Sequence, residues 1–162
     1  MTKKACGGNS AATKLVFVGI GNVLKRDDGV GVYITNRIKK RPNVIPLTVE
    51  VSIENYINKI NRLNSDLLIL VDCMDFRENP VYWNIVPVER LAGQMTNTHN
   101  LSLGKVSELF NARAYVLGIQ PKNIEFGENL SPEIKEKADQ LINLINKQPI
   151  ISLFPELNIP VS

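Results

Sequence analysis

A few side chains in this 162-residue chain could carry chemistry: Asp27, Asp28, Asp72, Asp75, Cys73 and His99, the single histidine. Asp27-Asp28-Gly29 stands in a polar loop after a β-branched, aromatic run that ends in Gly19-Ile20-Gly21-Asn22. In its ordinary reading one aspartate caps a helix starting near Val30 and Gly29 makes the turn; the other aspartate is then free to face a crevice. Asp72 ends Asp66-Leu67-Leu68-Ile69-Leu70-Val71, the most apolar run in the chain. A carboxylate there sits beside a low-dielectric core, which disfavours leaving it unpaired. It serves equally well as a loop-capping residue or as a site residue. Asp75, just beyond, is expected to be solvated. His99 lies in the polar segment Thr96-Asn97-Thr98-His99-Asn100. Asp28, Asp72 and His99 together would offer two hard oxygens and a borderline nitrogen, a donor set suited to nickel, zinc, iron or manganese.

Those residues need elements to position them. Lys14 to Ile20 predicts a buried strand, and Val30, Ile34 and Ile38 recur at helical spacing, with Lys39, Lys40 and Arg41 placed where cations suit a helix end. Val44 to Val51 predicts an edge strand because Pro46 lacks a donor. Ile53, Tyr56, Ile57, Ile60 and Leu63 mark a helix face, and Asp66 to Val71 a central strand apolar on both sides. Tyr82 to Val86 is a shorter strand. Leu91 to Asn100 is a loop, Leu103, Val106, Leu109 and Phe110 suggest a helix, and Ala114 to Ile119 is a further strand. Ser131-Pro132 starts a last helix whose apolar face is Ile134, Ala138, Leu141, Ile142 and Ile145. Strand and helix alternate, which predicts an α/β three-layer sandwich: a twisted, mainly parallel sheet with helices on both faces. In such sheets the binding crevice lies beyond the carboxyl ends of the strands. The expected organisation is one domain, with a flexible segment at 1–13, a body at 14–148 and an extended tail at 149–162.

Composition removes several function classes. Hydrophobic residues are 44% and charged residues 22%, ordinary for a globular protein. A net charge of +3, without a dense Lys/Arg stripe, does not suggest nucleic acid. The longest apolar runs fall far short of the roughly 18 residues a membrane span needs. Cys6 and Cys73 predict two reduced thiols in a cytoplasmic protein. Gly19 and Gly21 hint at nucleotide binding, but Leu24 stands where a dinucleotide loop wants a third glycine. Cys73 has no basic neighbour to activate it. No serine stands on a nucleophile-elbow pattern, so a triad built on His99 lacks its nucleophile.

Read together, four blocks resemble the hydrogenase maturation proteases: Gly19 to Gly31 (GIGNVLKRDDGVG), the strand LLILVDCMD followed by Asn79-Pro80, the segment TNTHNLSL from Thr96 to Leu103, and LGIQP from Leu117 to Pro121. The last two look most like the branch serving energy-converting hydrogenases of the formate-hydrogenlyase type. The resemblance implies an α/β fold and an aspartyl-type endopeptidase. It would remove the C-terminal extension of a nickel–iron hydrogenase large-subunit precursor after nickel insertion. Nickel would arrive with the substrate as its recognition mark, so the free enzyme need not hold metal. The family's metal-contacting and catalytic positions fall on Asp28, Asp72 and His99, with Asp27 a helper that caps or orders the loop. Water would be activated either by the metal or by an aspartate. Many members carry an Asp-Gly-Gly turn after the second strand; here Val49-Glu50-Val51-Ser52-Ile53 has no glycine, which implies a different wall at that point. The implied partner is the precursor, with the enzyme a monomer inserted in no membrane. The alternative is a non-cleaving nickel or hydrogenase-subunit chaperone of the same fold.

Overall fold

The structure, a computed structural model, describes residues 12–93 and 104–147. Its centre is a five-stranded sheet in the order β2-β1-β3-β5-β4. The strands are β1 (Leu15–Ile20), β2 (Val44–Glu50), β3 (Leu67–Cys73), β4 (Trp83–Pro87) and β5 (Arg113–Ile119). β1 pairs in parallel with β2 and β3, and β3 with β5; β4 closes the far edge antiparallel to β5. Every residue of β1 is buried, as are Leu67 to Asp72 of β3. Continuous burial of this kind requires cover on both faces.

The cover comes from two layers. Leu15, Phe17, Ile69, Val71, Tyr115 and Leu117 pack against α1 (Val30–Thr35) and α3 (Pro132–Lys147). Val16, Val18, Leu68, Leu70 and Val116 pack on the opposite side, beneath Ile60 of α2 (Ile57–Arg62) and against Val88, Leu91, Val106 and Phe110. The result is the expected α/β sandwich. β2 with Pro46 is indeed an edge strand.

Three local expectations change. The helical turn after Gly29 ends as regular helix at Thr35, although Ile38 remains buried. Arg37 reaches back to this helix end, donating from Nη1 to the Tyr33 carbonyl at 3.1 Å, but the expected Lys39-Lys40-Arg41 group lies past it. Instead Arg41 donates from Nη2 to the Ile145 carbonyl at the end of α3, at 2.8 Å, and Asn146 exchanges hydrogen bonds with Lys39 and Arg37. The helix expected around Val106 is, among the described residues, a single turn at 104–106 that tightens into a 3-10 segment at Ser107–Leu109. At Ser131 the hydroxyl does not cap α3; it donates to Asp27 at 2.8 Å, while the Ser131 carbonyl accepts the Lys135 amide.

The turn after β2 keeps a glycine-like shape without glycine. Glu50 has φ +55°, and its carbonyl accepts the Gly21 amide at 2.8 Å. A side chain in the left-handed region costs roughly 1–2 kcal/mol, part of which glycine's greater freedom in the unfolded chain offsets. Glu50→Gly is expected to stabilise the fold by about 0.5–1 kcal/mol. Urea unfolding checks this, and an unchanged or lower midpoint would show that the turn carries no strain.

Candidate active site

The order β2-β1-β3 makes the chain leave β1 to one side and return on the other, so the switch point lies between the carboxyl ends of β1 and β3. Open α/β sheets bind their ligands at such points. Asp28 follows β1 and Asp72 lies in the last turn of pleat of β3, so both stand at this crevice.

Glycines bring them together by close approach. Gly21 has φ +139°, and a Cβ there would lie 1.9 Å from the Asp28 carbonyl oxygen. The loop can therefore fold back over the end of β1. Inside that fold the Asp28 carboxylate accepts the Asn22 amide at 2.9 Å, and Asn22 accepts the Leu24 amide on its own side chain. A Cβ on Gly31 would lie 2.0 Å from the Val71 carbonyl and 2.4 Å from that of Ile20. The first turn of α1 is thus wedged between the ends of β1 and β3, against the residue that precedes Asp72. Neither approach tolerates a side chain.

Asp72 is buried, and its carboxylate accepts only the neighbouring Cys73 amide, at 2.8 Å, among the bonds described. Burial holds its pKa well above the ordinary carboxylate range, and the nearby Asp28 charge raises it further. Asp28 is half-buried. Two carboxylates with unequal environments, one resisting ionisation, can hold and exchange a proton or bind a cation that relieves their repulsion. The Cys73 thiol is pushed up, first by burial and then by Asp72, Asp28, Asp27 and Asp75, which leaves it a poor nucleophile.

Asp27 points elsewhere. It is fully buried and caps neither its own 3-10 turn nor α1. Its carboxylate accepts the amides of Lys122, Asn123 and Ser131 and the Ser131 hydroxyl, at 2.6 to 3.0 Å. The expected capping role is therefore replaced by a long-range one, joining the loop that carries Asp28 to the segment between β5 and α3. Asp75 is exposed, as expected, and its pKa is lowered by the Arg77 amide and the Gln120 side chain. His99 falls outside the described residues. Among the described residues no group of three His, Cys, Asp or Glu side chains stands at metal-holding distance.

Residue-by-residue reading missed Gln120, which the sequence marked only as part of the block closing β5. It is buried, accepts the Phe76 amide at 2.6 Å, donates to Asp75 at 3.2 Å, and exchanges backbone hydrogen bonds with Val81 and Tyr82. It therefore shapes the loop after Asp72. A polar side chain directly after the buried run Ala114 to Ile119 was the available signal.

A model of the hydrogenase maturation protease family matches residues 30–148, well over half of the chain. The chain belongs to this family. It is accordingly a peptidase, and the family acts on hydrogenase large-subunit precursors. A Methanocaldococcus jannaschii protein provisionally named a hydrogenase maturation protease is 26% identical over 146 residues, 82% of this chain and 86% of its own. The crystal structure of the [NiFe] hydrogenase maturation protease HycI from Thermococcus kodakarensis superposes with a TM-score of 0.75 at 29% identity, covering 85% of this chain and 93% of that one. The Escherichia coli hydrogenase maturating endopeptidase HybD, at 20% identity, shares the fold with a TM-score of 0.72 over 90% of this chain and 94% of its own. Among the described residues of the protease no helix is long and apolar enough to cross a membrane.

Proposed function

We propose that this peptidase removes the C-terminal extension of a nickel–iron hydrogenase large-subunit precursor after nickel insertion, and that Asp28, Asp72 and His99 meet the substrate-borne nickel. The observation that carries this reading is the pair of carboxylates at the switch point, one buried with its pKa held high by burial and by the other's charge. Such a pair is poorly satisfied alone. A divalent cation presented by the substrate would offset the repulsion, so metal-loaded precursor would be favoured over empty precursor. Asp72 and His99 lie within the span matched by the family model, and Asp28 lies just before it. The blocks TNTHNLSL and LGIQP are the ground for placing the substrate among hydrogenases of the formate-hydrogenlyase type.

For the cut itself, a carboxylate of the pair takes a proton from water as its oxygen adds to the scissile carbonyl carbon. The C–N bond then breaks and the proton passes to the leaving amine, giving a new carboxylate and a released peptide. The test is incubation of purified precursor, nickel-loaded or nickel-free, with the product mass read out. Trimming of the loaded precursor alone is expected. Equal trimming of both would remove nickel recognition and leave a plain aspartate-dependent protease. Nickel-dependent binding without trimming would favour a chaperone.

A further inference from the structure

We propose that the loops following β1 and β5 form a rigid apolar platform on which the polypeptide flanking the scissile bond of the precursor docks. This rests on the function proposed above. Four large apolar side chains stand in solvent on these two loops. Val23, Leu24 and Ile124 are each about half exposed, and Phe126 is 81% exposed. None belongs to either core cluster. Exposed apolar groups scattered singly need no explanation, but a contiguous group marks an interaction surface.

Contiguity follows from the backbone. Gly127 donates to the Leu24 carbonyl at 2.8 Å, Arg26 donates to the Gly127 carbonyl at 2.9 Å, and Asp27 donates to the Asn123 carbonyl at 3.0 Å. Lys25 and Gly127 form a parallel bridge, whose register sets Leu24 beside Phe126. The carboxylate of Asp27 pins the same two segments from below. Gly127 adopts φ +153°, where a side chain would be strained, and a Cβ there would meet the Arg26 guanidinium at 2.9 Å. The exposure therefore belongs to a tied frame, and a preorganised frame lowers the ordering cost of binding.

Continuity with the site names the occupant. Val23 and Leu24 share one loop with Asp28, so a protein whose peptide bond reaches Asp28 and Asp72 crosses this platform. The substrate of the family is itself a protein, and apolar side chains alternating along the chain with exposed Lys25, Lys122 and Glu125 offer the mixed apolar and polar chemistry of a protein interface.

The test compares the wild-type full chain with a Leu24→Ser/Phe126→Ser double variant and with Ile124→Ser, measuring precursor affinity, KM, kcat and Tm. A rise of about tenfold or more in Kd and KM for the double variant is expected, with kcat and Tm unchanged and with Phe126→Tyr behaving as wild type. Should the double variant lose Tm, the Ile124→Ser comparison decides, with a smaller rise in KM expected. An unchanged KM in a folded variant overturns the platform. So does an unchanged KM accompanied by loss of self-association, which assigns the surface to a second copy. An unchanged KM with faster hydrogen exchange in residues 148–162 likewise overturns it and assigns the surface to this chain's own segment. Wild-type protein that neither binds nor cuts the precursor overturns the proposed function itself.

Discussion

Asp72→Asn is expected to lower precursor cleavage by about 10²–10⁴-fold or more, the range found when a group that moves a proton in the transition state is removed. The same change is expected to stabilise the fold near neutral pH. Burial and the Asp28 charge raise the folded-state pKa of Asp72 above its unfolded value. Between those two values the native state holds more protons than the unfolded state, so stability falls as pH rises through that window. The contribution of Asp72 is therefore fully present below the ordinary value of 3.8 and lost once the pH passes the raised one. Asparagine carries no charge to desolvate, and its side-chain oxygen can still accept the Cys73 amide. The Tm advantage of the variant should accordingly grow from pH 4 to pH 8. Each kcal/mol corresponds to roughly 2–4 °C in a chain of this size. A variant that cleaves normally would remove Asp72 from the reaction. One whose Tm gap with the wild type stays constant across this range would show that Asp72 ionisation does not oppose folding.

Asp27→Ala should act in the opposite sense. It leaves three amides and a hydroxyl without their acceptor at a site with no exposed surface. Losing the partner of buried donors costs about 1–3 kcal/mol for each group that water cannot reach. Since Lys122 is exposed and its neighbours are only partly covered, some donors regain water. The expected loss is about 2–4 kcal/mol, read from urea unfolding. Hydrogen exchange should rise first in residues 121–131, because their amides are the ones released. Cleavage should fall as well, since the backbone of the Asp28 loop is tied to the same segment. Asp27→Asn keeps one acceptor oxygen and should lie between the two. A loss below about 0.5 kcal/mol, within the range of ordinary surface substitutions, would show that the four bonds are replaceable.

Much of the architecture was legible because each element carries a local, periodic signal. β1 and β3 are unbroken β-branched and leucine runs, which only a sheet covered on both faces can bury. α3 shows Ile134, Ala138, Leu141, Ile142 and Ile145 at helical spacing, and all five are buried. Pro46 marked β2 as an edge because a missing amide is a local fact. Signals failed where a turn could stop early without a local cause. The segment after Gly29 keeps its apolar spacing to Ile38, yet the regular helix ends at Thr35, and Arg41 beyond it donates to the end of α3.

The site divides in the same way. The sequence by itself determined which side chains could act, because residue type and position at the end of an apolar strand are written in the chain. Asp72 was chosen on those grounds; the polar loop after β1 offered Asp27 and Asp28, and the family resemblance selected Asp28. What only the tertiary structure decided was the partner of each carboxylate. Asp27 and Asp28 are adjacent in sequence and chemically identical, yet one is buried under four donors from residues 122–131 and the charge of the other raises the pKa of Asp72. Hydrogen bonds and Coulomb interactions act between atoms brought near by packing. A contact spanning about a hundred residues leaves no trace in local spacing.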